Sequence, residues 1–126
     1  MRHAIMTAQA PQPIGPYSQG VVSEPFVFTA GQVGIDPTTR LIVPGGAAAE
    51  AHQALTNVRA ILEAAGSDLA HVVKTTLYLA DMQDFTAVNT IYAEFFSAPY
   101  PARTTIAAAG LPAGARFEIE TVARLK

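Results

Sequence analysis

The chain has 126 residues, of which 50% are hydrophobic and 14% charged, with a net charge of −2 and no cysteine. That length suits one domain over residues 1–126, able to bury roughly two thirds of the surface its unfolded chain exposes. The composition excludes disulfides, a thiolate nucleophile and a Cys-ligated metal, and its scattered basic residues give no reason to expect nucleic acid or an anionic membrane.

The charge density is well under the roughly 25% of an ordinary soluble domain, so part of the surface is expected to meet another subunit. At the N-terminus, MRHAIMTAQAPQPIGPY lacks the continuous apolar core of a signal peptide. No run approaches the roughly 20 apolar residues of a membrane span, and a cytoplasmic location is expected.

In chain order, Arg2–Met6 reads as an edge strand and Pro11–Pro16 as a proline-rich connector. Tyr17–Val22 and Phe26–Val33 read as an antiparallel hairpin joined by Ser23, Glu24 and Pro25. Gly31 and Gly34 mark its end, where the backbone approaches something closely. Asp36–Thr39 is turn chemistry, and Pro44, Gly45 and Gly46 close a loop. From Ala47 to Ala65 the residues Ala51, Leu55, Val58, Ile61, Leu62 and Ala65 recur at helical spacing, with Glu50, Gln53, Arg59 and Glu63 on the other side and Gly66 as the stop.

His71–Ala80 is rich in β-branched residues and reads as a strand. Asp81 or Asp84 is placed to cap a second helix from about Phe85 to Phe96, whose inward face carries Phe85, Val88, Tyr92, Phe95 and Phe96. Ser97–Pro101, with its two prolines, breaks that helix. Two alternating runs follow, Arg103–Ala108 and Arg116–Leu125, separated by the turn formers Gly110–Gly114. Phe117, Ile119, Thr121 and Ala123 then share one face, and Glu118, Glu120, Val122 and Arg124 the other. Arg103, Thr105 and Ala107 share a face opposite Thr104, Ile106 and Ala108. The class is α+β. Two helices with one apolar stripe each cover one face of a sheet, and the other face is expected to meet further subunits, with clefts at the seams.

Among single residues Arg103 has the strongest claim to function, because guanidinium grips a carboxylate by two prongs; a structural ion pair with Glu118 or Glu120 is the plainer alternative. Glu118 is suited to orient or deprotonate a water, and Tyr17 to present a phenol after Gly15 and Pro16. His3, His52 and His71 lack metal-ligand spacing, Gly31 and Gly34 form no nucleotide fingerprint, and Thr104 and Thr105 have no His and Asp arrangement that would make them nucleophiles.

Three segments, IGPYSQG at Ile14–Gly20, AGQVGIDP at Ala30–Pro37 and PARTTIAAAGLPAGARFEIE at Pro101–Glu120, resemble the RidA (YjgF/YER057c/UK114) family. NVRAILEAAG, VVKTTLYLADMQDF and VNTIYAEFF between them fit as well, so the likeness spans nearly the whole chain in order. The resemblance implies a chorismate-mutase-like fold, a mixed sheet with two helices on one face, and a homotrimer with a central β-barrel and clefts between subunits. It implies an enamine/imine deaminase that needs no cofactor and converts reactive 2-iminoacids, such as those derived from 2-aminoacrylate, to 2-keto acids and ammonia.

Carried over by motif, Arg103 holds the substrate carboxylate and Glu118 positions the attacking water, while Tyr17, the Gly31 backbone, Asn89 and Thr105 line the cleft. Ala30 stands where the family often has Ser, and Thr105 where it often has Cys, which bears on substrate range. Two other readings compete: deamination of a larger unsaturated amino acid such as 2-aminomuconate, and a non-catalytic small-molecule-binding module of the same fold. The ribonuclease activity described for some relatives is disfavoured by the pI near 5.8 and the lack of a basic stripe.

Overall fold

A computed structural model describes all residues, Met1–Lys126. Nine elements carry the architecture: strands β1 (His3–Ile5), β2 (Gly20–Ser23), β3 (Phe26–Thr29) and β4 (Gln32–Val33), helix α1 (Gly46–Ala64), strand β5 (Val72–Leu79), helix α2 (Phe85–Phe95), and strands β6 (Ala102–Ala107) and β7 (Phe117–Arg124). The strands form one mixed sheet in the order β1-β2-β3-β7-β5-β6, with β4 also paired to β7. All pairings are antiparallel except β5 with β6, which the intervening α2 makes parallel.

The alternation of β7 decides where the core lies. Phe117, Ile119, Thr121 and Ala123 are buried, while Glu118, Glu120, Val122 and Arg124 are half-buried or exposed. α1 lays Ala51, Leu55, Val58, Ile61 and Leu62 on that buried side, all of them fully sequestered. Each large aliphatic side chain so buried contributes about 1.5–3 kcal/mol. α2 adds Val88 and Tyr92, and Phe96 follows it into the same core. Both helices therefore cover one face, as the apolar stripes predict. No helix is long and apolar enough to cross a membrane.

Gly66 takes a left-handed φ of 87° after α1, and Ser67 N–H returns to the Leu62 carbonyl at 2.9 Å, so the expected stop is a left-handed turn. The two glycines of close approach also behave as read. A Cβ at Gly31 would collide with the Glu118 carboxylate, and one at Gly34 would lie 2.6 Å from the Glu50 backbone.

Several expectations need correction. The strand predicted from Tyr17 begins only at Gly20, because residues 6–19 form an irregular segment. Phe26–Val33 is not continuous; it breaks at Ala30 and Gly31, and its two pieces pair separately along β7. Glu50 faces inward rather than outward and is only 5% exposed, its Oε1 accepting the Arg116 N–H at 2.8 Å. Asp81 caps the short 3-10 turn Met82–Asp84 through Gln83 N–H, whereas Asp84 gives α2 no side-chain cap and binds Arg116 at 2.7 Å. Phe85 and Phe95 are only partly buried. Finally, β6 and β7 are not neighbours: β5 lies between them, because the crossover through α2 returns the chain parallel to β5 on the edge that β7 does not occupy.

Candidate active site

Strand register separates the two residues of greatest interest. Arg103 lies opposite Thr75, which lies opposite Thr121, and the Thr75 hydroxyl pairs with Tyr92 Oη of α2 at 2.9 Å. Arg103 is therefore on the helix-covered face. Glu118 lies opposite Tyr78, which lies opposite Ile106, an odd number of residues away along both strands and hence on the open face. A single copy of the chain does not pair Arg103 with Glu118 or Glu120; its salt bridges are His71–Asp68, Arg116–Asp84 and Lys126–Asp68.

Around Glu118 is a cavity of about 450 Å³ lined by Tyr17, Ala30, Gly31, Pro112 and Ala113 among others. Gly31 abuts the carboxylate, so the missing Cβ is what lets Glu118 occupy its position. Burial first, and the negative charge of Glu120 second, push the Glu118 carboxyl above the usual carboxylate range. Glu120 in turn accepts a hydrogen bond from Tyr78 Oη at 2.8 Å. That bond is the main reason the Tyr78 phenol holds its proton more tightly than a free tyrosine.

Around Arg103 is a second hollow of about 280 Å³, lined by Asn89, Tyr92, Ala93, Tyr100 and Pro101. The guanidinium carbon lies 4.8 Å from the Tyr92 ring centre and 5.6 Å from that of Phe85. Two aromatic faces thus hold the cation where carboxylates would hold it in an ion pair, leaving its anion-binding capacity unspent. The Asn89 Oδ1 atom is buried without a partner, and so is Thr105 Oγ1, two residues beyond Arg103 on the same strand face. Buried polar atoms in that state cost free energy until something meets them.

Of the residues singled out from sequence, Tyr17, Gly31 and Glu118 come together in the larger cavity, and Arg103 and Asn89 in the smaller. Thr105 lines neither. The two hollows share no lining residue. No group of three His, Asp or Glu side chains converges on one point. Sequence reasoning missed Tyr78, Tyr100, Pro112 and Ala113. Alternation in β5 puts Tyr78 on the Glu118 face, a usable signal; Tyr100 sits in a segment legible only as a helix breaker.

The model of the family described as Endoribonuclease L-PSP matches residues 7–125. A human protein named 2-iminobutanoate/2-iminopropanoate deaminase is 50% identical over 98% of this chain and 90% of its own length. The crystal structure of RidA from the Antarctic bacterium Psychrobacter sp. superposes with a TM-score of 0.94 at 40% identity, covering 98% of this chain and 99% of that one. The same score and coverage hold for E. coli TdcF, 38% identical and crystallised with bound serine.

Proposed function

The chain belongs to the endoribonuclease L-PSP (RidA/YjgF) family, and from that premise we propose that it is an enamine/imine deaminase whose active site forms where two copies meet in a homotrimer. What supports this is the division of its chemistry between two separate hollows: a cation beside the unpartnered Asn89 Oδ1 in one, and a carboxylate of raised basicity in the other. Relatives 44–50% identical carry the name 2-iminobutanoate/2-iminopropanoate deaminase.

In this reading Arg103 of one copy takes the substrate carboxylate in a two-pronged grip. The buried Asn89 Oδ1 accepts a hydrogen from the substrate, while Tyr17 and the Gly31 backbone wall the facing side. An enamine first tautomerises to the imine, whose protonated nitrogen makes its carbon electrophilic. Glu118 of the neighbouring copy holds the water and takes its proton as the C–O bond forms. Glu118 returns that proton to nitrogen, then takes the remaining hydroxyl proton as the C–N bond breaks, so that ammonia leaves a 2-keto acid. Positioning and a single carboxylate that relays protons are what these steps require.

The test is a coupled assay in which a dehydratase generates the imine and keto-acid release is followed. Wild type accelerates release, and Arg103→Ala lowers kcat/KM by about 10²–10³-fold, the loss expected when a charge-assisted grip goes. Unaccelerated release by wild-type protein would sink the proposal.

A further inference from the structure

Residues 6–19 form the near wall of the Glu118 cavity, contributing Pro11, Gln12, Ile14, Tyr17 and Gln19 to its lining. Nothing regular holds this strap in place. It lies between β1 and β2 without helix or strand, and its one internal main-chain bond is Tyr17 N–H to the Gly15 carbonyl at 2.9 Å. Ile14 is almost fully exposed and Tyr17 half exposed, so burial of the wall itself contributes little.

One side chain supplies what the backbone does not. Gln19 is 1% exposed, and its carboxamide Nε2 donates to the carbonyls of Pro11 at 2.9 Å, Thr7 at 3.0 Å and Ala10 at 3.2 Å. Its Oε1 accepts the Thr7 N–H at 2.7 Å. Two amide hydrogens thus serve three carbonyls, and Ala10 is drawn into burial beside them. The Gln19 carbonyl also accepts the Ala30 N–H at 2.9 Å, and Ala30 precedes the glycine that seats Glu118. A further tie, Gln12 Nε2 to the Thr7 carbonyl at 3.0 Å, is solvent-exposed and correspondingly weak.

We propose that Gln19 is a positioning residue: its buried carboxamide fastens the Thr7–Pro11 turn to the sheet and thereby fixes the Tyr17 wall at its distance from Glu118. This rests on the reading of that cavity as half of the substrate site. Although Gln19 borders the cavity, both ends of its carboxamide are engaged by main-chain groups of the strap, so its contribution is to substrate binding and not to the chemical step.

Gln19→Met keeps the bulk and deletes all four hydrogen bonds. Hydrogen–deuterium exchange on the free protein is expected to show amides of residues 7–17 exchanging at least about tenfold faster, with α1 and β7 unchanged, because local opening is governed by the few bonds that close it. In the imine assay KM rises about tenfold while kcat stays within about threefold. Thr7→Pro removes the N–H that Gln19 accepts without touching the core, and is expected to move both readouts in the same direction if Gln19→Met fails to fold. Unchanged strap exchange in a folded variant overturns the proposal, as does faster exchange with an unaltered KM, which would make Gln19 purely structural. Absence of turnover in wild type would instead remove the deaminase reading, leaving strap exchange to decide this one.

Discussion

Arg103 and Glu118 show how neighbours set what a charged side chain can do. Arg103 rests on Tyr92 and Phe85 with no carboxylate bound, so in the proposed mechanism a substrate carboxylate would meet it without first breaking an ion pair. Glu118 is tuned from the other direction: burial and Glu120 both oppose its ionisation. A base must be ionised to work, so activity should fall as pH drops through this raised value, above that of an ordinary glutamate. Glu120→Gln removes the second cause, and the acid limb of the kcat/KM profile is expected to move to lower pH; a limb that stays put or moves up contradicts the assignment. At this scale the sequence was informative where alternation could be read, since burial along β7 follows it residue by residue. It misled at Glu50, where helical spacing assigns a carboxylate to solvent and a single backbone N–H from Arg116 draws it inside.

Among elements, the break between β3 and β4 matters most to the site. Had Phe26–Val33 run on as one strand, Gly31 would be a ladder residue; instead the chain kinks there and brings its backbone against Glu118. Gly31→Ala is expected to displace the carboxylate and lower kcat at least about tenfold, with little loss of stability because the clash is with the end of a side chain bordering a cavity. Chemical denaturation beside the imine assay separates the two effects; wild-type kcat would show that the close approach has no role in positioning Glu118. The glycine was legible as a point of close approach, but its partner was not, because β7 is more than eighty positions later in the chain. The same holds for β6. Two alternating runs joined by a turn read as neighbours, yet the parallel pairing through α2 puts β5 between them. Local pattern reports which face a residue takes, and long-range packing decides which strand stands beside it.

The whole molecule has a helix-covered face and an open one. The open face carries Glu118, Glu120 and Tyr78 together with Phe28 and Ile106, each of these two large apolar side chains 45% exposed. Tyr100, beside Arg103, is 61% exposed. These surfaces, and a charged fraction of only 14%, suit a chain completed by further copies of itself. If Arg103 from one copy and Glu118 from the next make one site, two inactive variants can repair each other. Arg103→Ala and Glu118→Gln proteins, unfolded together and refolded at equal concentration, are expected to regain activity, with about one seam in four carrying both native residues under random assembly. Recovery to roughly a quarter of the wild-type rate is the result predicted for a shared site. Mixed assemblies as inactive as either parent would show that each copy works alone, and would contradict the account.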